Sequence, residues 1–158
     1  MMRPSPDLRR IERLPEPWRD LIAAAMQARE HAYAPYSRFA VGAAVLTEAG
    51  HIVTGCNVEN ASLGLTVCAE RVAIWKAVSE GETDFRALAV VTDVGATPCG
   101  ACRQVMTEFG TELPVLVANL TGDVWVLSQE ELLSHGFPHE NLRTLLGLCG
   151  EAAEPLGQ

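Results

Sequence analysis

Long hydrophobic runs are missing from this chain. In 158 residues no apolar stretch approaches the roughly 18 that a helix needs to cross a bilayer. The first seven residues, Met1 to Asp7, also lack the apolar segment of a secretory signal. We therefore expect no membrane partner and a cytoplasmic location.

Basic residues are scarce. Lysine and arginine number 12 against 20 acidic residues, giving a net charge of −8 and a pI of about 4.9. Proteins bind nucleic-acid phosphates mainly through Lys and Arg, and here these residues form no dense run. The composition argues against a DNA or RNA polymer as partner, and it leaves phosphate-free small molecules open.

Five cysteines make an odd count, so disulfides cannot pair them all. Cys56 lies in an apolar strand pattern and is expected to be a small buried residue, and Cys149 has no evident role. The other three stand in Cys68-Ala69-Glu70 and in Pro98-Cys99-Gly100-Ala101-Cys102. Thiols kept free in this way fit a reducing compartment.

Three thiolates can hold one zinc ion, and catalytic zinc sites have three protein ligands with a fourth position left for water. Cys99 and Cys102 are three residues apart, so on a helix they share a face. Glu70, two residues after Cys68, is placed to handle the protons of that water. This order, Cys-x-Glu followed by Pro-Cys-x-x-Cys, is the arrangement of the zinc-dependent nucleobase deaminases.

A purely structural zinc site is the alternative. It would need a fourth protein ligand, and Cys56 and His51 are the two candidates in the sequence. In that case the chain would be a zinc-stabilised binding module and not an enzyme.

Further motifs surround the cysteines. Tyr36–Ala44 reads YSRFAVGAA, Asn57–Ser62 reads NVENAS, Cys68–Arg71 reads CAER and Cys102–Val105 reads CRQV. Together these motifs resemble the small homotetrameric cytidine deaminases of pyrimidine salvage, and the resemblance runs from about residue 33 to residue 137.

The resemblance implies hydrolytic deamination of cytidine and 2′-deoxycytidine to uridine and 2′-deoxyuridine, with release of ammonia. Zinc would be bound by Cys68, Cys99 and Cys102, and Glu70 would shuttle protons. Arg71 would hydrogen-bond to ligand sulfurs and draw charge from them. The protein would be a homotetramer with shared active sites.

The resemblance also implies a set of substrate contacts. Asn57 and Glu59 would bind the ribose 3′-hydroxyl within a stretch that includes Ala61, Phe39 would pack on the pyrimidine, and the Ala69 N–H would bind the base carbonyl. Phe137 would reach a neighbouring subunit's site. Two alternatives stay open: Phe39 as a core strand residue, and Asn57 as part of a turn that caps itself.

One position departs from the family pattern. Leu63 stands where many relatives have a tyrosine near a neighbouring subunit's substrate, which leaves the tolerated base modifications open. A deaminase for a modified cytosine nucleoside such as blasticidin S is therefore a rival. Nucleotide deaminases typically use a His ligand, whereas this chain has Cys68.

The element pattern is α-β-β-α-β-α-β-β-α, typical of an α/β fold in which helices cover a mixed sheet. The resemblance specifies a three-layer α/β/α sandwich with five strands. We expect a flexible N-terminal arm over 1–14, a single catalytic domain over 15–150 and a frayed tail over 151–158. The predicted strands are 39–46, 52–57, 87–92, 113–118 and 124–127, and the predicted helices begin at Pro17, Val67, Cys99, Ser128 and Glu140.

Overall fold

The computed structural model describes residues 7–137, 142, 146 and 147. The predicted tail, residues 1–6 and most of the predicted helix over 140–148 lie outside the described residues. The elements, in chain order, are β1 Asp7–Arg10, α1 Glu16–Arg29, β2 Gly42–Thr47, β3 Ile52–Cys56, α2 Ala69–Ser79, β4 Phe85–Val91, α3 Gly100–Thr107, β5 Pro114–Ala118, β6 Asp123–Ser128 and α4 Gln129–Leu132.

One mixed sheet organises the described residues, with strand order β1-β6-β5-β4-β2-β3. Only β4 and β5 pair in parallel, and the other neighbours are antiparallel. The α/β class and the mixed sheet were predicted correctly. The expected five strands become six because β1 joins the sheet.

The predicted flexible arm over residues 1–14 is described from residue 7 onward, and there it contains the strand β1. Leu8 pairs with Trp125 of β6, and Arg10 forms an ion pair with Asp123 at 2.8 Å. Leu14, just after a 3₁₀ turn, is buried. Sequence patterning misses this strand because all four of its side chains are exposed, so its pairing depends on backbone hydrogen bonds and not on an apolar face.

Helices cover both faces of the sheet because the central strands are apolar throughout and alternate their side chains. On β2, Ala43 and Val45 face one core and Ala44 and Leu46 face the other. α1 packs on the second of these cores, and α2, α3 and α4 supply buried residues on the first. This is the three-layer α/β/α arrangement.

Two glycines let helices lie directly on the sheet. A Cβ on Gly42 would stand 2.0 Å from the Ala25 carbonyl oxygen of α1. A Cβ on Gly55 would stand 2.5 Å from the Ala73 nitrogen and 2.6 Å from the Ala69 oxygen of α2. β3 therefore presses against the first turns of α2, which fixes the end of that helix from which the site is built.

Candidate active site

The three predicted ligand cysteines meet where two helices begin. Cys68 is the N-cap residue of α2, Cys99 is the N-cap residue of α3, and Cys102 lies in the first turn of α3. Exposed N–H groups at a helix N-terminus favour a thiolate over a thiol. The topology thus brings together two segments that are 31 residues apart in the chain.

The sulfur geometry fits zinc. The Cys68 and Cys99 Sγ atoms are 3.7 Å apart, those of Cys99 and Cys102 are 3.5 Å apart, and all three lie within 4.8 Å of one another. Tetrahedral zinc with Zn–S bonds of about 2.3 Å places ligand sulfurs about 3.8 Å apart. The residues present can therefore hold the ion.

Electrostatics around the sulfurs favour ionisation at Cys68. A hydrogen bond from the Cys102 thiol, followed by one from Arg71, lowers the pKa of Cys68 to about 5. The same contact with Cys68, together with burial, raises the pKa of Cys102. The cluster thus already carries one favoured thiolate.

Arg71 lies beside this thiolate. Its Nη2 atom donates to the Cys68 Sγ at 3.6 Å and to the Thr66 carbonyl at 3.3 Å. Its guanidinium carbon stands 5.7 Å from the centroid of the Trp75 ring. Thr66 and Trp75 therefore hold the Arg71 guanidinium beside the Cys68 sulfur.

Glu70 lies in the first turn of α2 and is only 3% exposed. Burial is the main reason that its pKa rises to about 7, and the nearby charge on Cys68 adds to the rise. A carboxyl whose pKa lies near neutrality accepts and returns protons with little free-energy cost. A bound cation would act in the opposite direction and favour the carboxylate.

A cavity of about 240 Å³ opens in front of these groups. Six predicted site residues line it: Phe39, Asn57, Glu59, Cys68, Glu70 and Cys99. Seven further residues complete the lining: Ser37, Val41, Thr66, Val90, Thr92, Ala96 and Thr97. Sequence reasoning missed the three threonines, since Thr66 precedes α2 and Thr92 and Thr97 lie between β4 and α3, in connections whose direction is known only from the fold.

Asn57 and Glu59 organise the cavity wall that carries Phe39. The Asn57 amide accepts from the Val41 N–H at 2.9 Å and donates to the Phe39 carbonyl at 2.8 Å. An amide group has two donor hydrogens and two acceptor lone pairs, so one of each remains. Asn57 thus keeps one donor and one acceptor position for a ligand. Its bonds to Val41 and Phe39 therefore do not restrict it to a role within its own loop.

The Glu59 carboxylate binds the loop on the other side of the wall. It accepts from the Tyr36 N–H at 2.8 Å and from the Ser37 N–H at 3.3 Å. Hydrogen bonds from Ser37 and then from the Tyr36 backbone hold the pKa of Glu59 below its ordinary value. Glu59 therefore stays ionised at neutral pH and still has free lone pairs.

Three predicted contacts lie outside this single-chain cavity lining. Ala61 is exposed in the loop before α2, and Ala69 is buried as the first residue of α2. Phe137 is 50% exposed, and its backbone is held from both sides by the Gln104 amide at 2.8 and 3.1 Å.

Neither candidate for a fourth protein ligand joins the sulfurs. The strand pattern predicts that Cys56 is buried, but the structure shows it only half-buried. Its thiol donates to the His31 carbonyl at 3.4 Å. His51 pairs with Glu82 at 2.7 Å. Among the residues that the structure describes, the group able to hold a metal consists of the three cysteines alone. Within that part of the chain, three ligands without a fourth match the donor set of a catalytic zinc site.

Comparison with known families decides the affiliation. Residues 16–118 match the family described as the cytidine and deoxycytidylate deaminase zinc-binding region. The chain belongs to this deaminase family. The match includes all three sulfur ligands and Glu70, so the cluster is the family's zinc centre.

Individual relatives agree with this affiliation. Cytidine deaminase of Sporosarcina psychrophila is 51% identical over 125 residues, covering 77% of this chain and 92% of that protein. The crystal structure of cytidine deaminase from Burkholderia pseudomallei superposes with a TM-score of 0.73 at 52% identity, covering 75% of this chain and 97% of that one. Blasticidin-S deaminase of Bacillus cereus is 32% identical over 103 residues, covering 59% of this chain and 73% of that protein.

No helix in the described part of the chain has both the length and the apolar character that a membrane crossing requires.

Proposed function

We propose that this deaminase hydrolyses cytidine and 2′-deoxycytidine to uridine and 2′-deoxyuridine and releases ammonia, as a step of pyrimidine salvage. The observation that carries the proposal is a buried carboxyl, Glu70, beside three sulfurs at the wall of a small cavity. This pairing provides a metal and a proton carrier at one place.

Charge in the cavity favours a nucleoside over a nucleotide. Among the described residues that line it, none is a lysine, arginine or histidine, and two are the carboxylic acids Glu59 and Glu70. A phosphate would meet the charge of these carboxylates without a basic side chain to balance it. The proposed substrate is therefore the phosphate-free nucleoside.

Zinc held by the three cysteines would supply the positive charge that makes a water molecule nucleophilic near neutral pH. Glu70 takes one proton from that water and passes it to N3 of the cytosine ring, while the water oxygen bonds to C4. Glu70 then takes the second proton from the new hydroxyl and delivers it to the amino group. The C4–N bond breaks, ammonia leaves, and C4 becomes the carbonyl of uracil.

The chain's other residues orient the substrate. Asn57 and Glu59 bind the ribose 3′-hydroxyl with their remaining donor and lone pairs, next to Ala61. Phe39 packs on the pyrimidine from the cavity wall, and the Ala69 N–H, free at the start of α2, donates to the base carbonyl. Arg71 lowers the negative charge on the Cys68 sulfur.

The proposed assembly is a cytoplasmic homotetramer with shared active sites. A reducing compartment keeps the three thiols available for zinc. Several apolar side chains near the site are exposed in the single chain: Leu63 74%, Leu65 67% and Trp75 48%. Contact with other subunits would bury this surface. Phe137, held away from its own cavity lining, is the residue proposed to enter a neighbour's site.

A blasticidin S deaminase is the second candidate, because Leu63 replaces an aromatic residue and one relative carries that activity. The lower identity, 32% against 51%, favours cytidine.

A substrate panel tests the proposal. Purified enzyme is assayed for ammonia with cytidine, 2′-deoxycytidine, cytosine, CMP and blasticidin S, before and after zinc removal. We expect turnover of the two nucleosides, little of CMP, and loss of activity on chelation that added zinc restores. Turnover of blasticidin S alone would select the second candidate, and a zinc-containing but inactive protein would indicate a binding module.

A further inference from the structure

Arg103 is bound at three points close to the zinc centre. It follows Cys102 on α3, and its guanidinium donates from Nε to the Pro98 carbonyl at 2.7 Å and from Nη2 to the Thr97 hydroxyl at 2.9 Å. Nη1 donates to the Leu132 carbonyl at 2.8 Å. Two of these acceptors belong to the two residues that immediately precede Cys99.

The segment that Arg103 holds has little regular structure of its own. It connects β4 to α3 over residues 92–99, and Cys99 stands at its end as an exposed N-cap residue without a side-chain cap. Within the segment, the Thr92 hydroxyl accepts from the Ala96 N–H at 2.8 Å. The part next to the ligand is fixed by Arg103, whose own N–H also donates to the Cys99 carbonyl at 3.0 Å.

The third contact ties the segment to α4. Leu132 is buried at the end of α4, a helix whose start is closed by the reciprocal Ser128–Glu131 capping box. Buried Gln129 of α4 donates back to the Arg103 carbonyl. Arg103 thus spans from α4 to the residues before Cys99.

Only a guanidinium can make this connection. Its donors lie in one plane in a fixed fork, whereas a lysine ammonium is a point charge at the end of a flexible chain. A lysine at position 103 would keep the positive charge but could not reach the three acceptors in their fixed directions.

We propose that Arg103 is a positioning residue for the zinc centre, which fixes the direction in which Cys99 presents its sulfur to the ion. This inference rests on the proposed function, since it assumes zinc at the three cysteines. The role differs from that of Arg71, which touches a ligand sulfur directly.

Metal retention tests the proposal independently of turnover. The zinc-loaded variants Arg103→Gln and Arg103→Lys are mixed with excess chelator, and the zinc release rate is measured. The cobalt-substituted proteins are compared by their thiolate-to-metal absorption. Arg19→Gln is the matched control, because Arg19 is exposed on α1 and makes no side-chain hydrogen bond to the described residues.

We expect both Arg103 variants to release zinc about 10- to 100-fold faster and to show altered cobalt absorption, the usual scale for residues that orient metal ligands. Arg19→Gln should match the wild type. Failure of lysine to rescue identifies geometry, and not charge, as the contribution of Arg103.

Wild-type release and absorption in Arg103→Lys would overturn the proposal. Thr97→Val removes one acceptor and leaves Arg103 in place, so it decides the question if the arginine variants do not fold: faster release supports the role and unchanged release contradicts it. A wild-type protein that retains no zinc would contradict the proposed function as well, whereas zinc-loaded wild type with unchanged variants contradicts this inference alone.

Discussion

Glu70 occupies a place where a charged group is costly. With 3% of its surface exposed and a pKa raised to about 7, its protonated and ionised forms have similar free energies. A surface glutamate, whose pKa lies near its ordinary value of about 4.3, returns a proton less readily at neutral pH. Burial at the start of α2 therefore suits the acid and base roles that we propose for Glu70.

Replacing Glu70 by glutamine removes proton transfer and keeps the side-chain volume. We expect Glu70→Gln to bind zinc in the wild-type amount and to lose about 10²- to 10⁴-fold in kcat, the usual contribution of general acid–base catalysis. Metal analysis and ammonia release measure the two effects. Wild-type turnover by the zinc-loaded variant would exclude Glu70 as the proton carrier.

We propose that Arg71 acts on the same centre through the Cys68 sulfur, which lies 3.6 Å from its Nη2 atom. Without the charge of Arg71, the sulfur would donate more electron density to a bound zinc ion, which would become a weaker acid. We expect Arg71→Gln to lower kcat by about 10- to 100-fold, as loss of an outer contact to a ligand commonly does. Full turnover with an unchanged pH–rate profile would contradict this role.

Residues whose proximity follows from local spacing were predictable. Cys99 and Cys102 share a helix turn, and Glu70 follows Cys68 within the first turn of α2, so their proximity needs no tertiary information. The sequence showed Arg103 only as part of the CRQV motif. Its contact with Leu132 could not be predicted, because the two residues are 29 positions apart in the chain. The role that we propose for Arg103 depends on the packing of α3 against α4, which periodicity does not specify.

At the scale of elements, α2 carries most of the proposed chemistry: Cys68 is its N-cap residue, and Glu70 and Arg71 lie in its first turn. Its position depends on Gly55 of β3, where any side chain would collide with the α2 backbone. The sequence predicted both the strand and the helix. It did not predict their close approach, because a glycine in a strand pattern also fits a bulge.

Gly55→Ala tests this packing. The added Cβ lies 2.5 Å from the Ala73 nitrogen, so α2 must shift, and we expect a loss of about 1–3 kcal/mol in the free energy of unfolding. Zinc content and kcat should fall together with stability. Gly64→Ala is the control, since a Cβ there meets nothing within 4 Å. Equal unfolding midpoints in urea for the two variants would show that the approach of α2 is not tight.

β1 shows the opposite limit of sequence reading. Its four residues, DLRR, are all exposed and look like part of a polar arm, yet they pair with β6 along their full length. β1 forms because β6 has an edge with free backbone groups to pair with, and the side-chain pattern of residues 7–10 does not indicate that pairing. The bounds of the catalytic domain, 15–150, remain a prediction.

At the scale of the whole molecule, the proposed tetramer would complete each site with Phe137 from a neighbour. Two inactive variants can then complement each other. Co-expressed Glu70→Gln and Phe137→Ala chains should form mixed oligomers in which an intact Glu70 faces an intact Phe137. We expect activity above the sum of the two variants purified alone.

Sedimentation of the wild type and of the mixture provides the control, because complementation requires that the chains assemble. Activity equal to the sum of the separate variants, in oligomers shown to be mixed, would place Phe137 outside any neighbouring site. The exposed Leu63 and Leu65 side chains should become protected from solvent in the assembled protein.

The central claim is that three sulfurs hold zinc and leave one position for water. X-ray absorption at the zinc edge of the purified enzyme measures this directly. The account predicts three sulfur neighbours at about 2.3 Å and one oxygen at about 2.0 Å. A fourth sulfur, a histidine nitrogen in place of the oxygen, or active enzyme without zinc would contradict it.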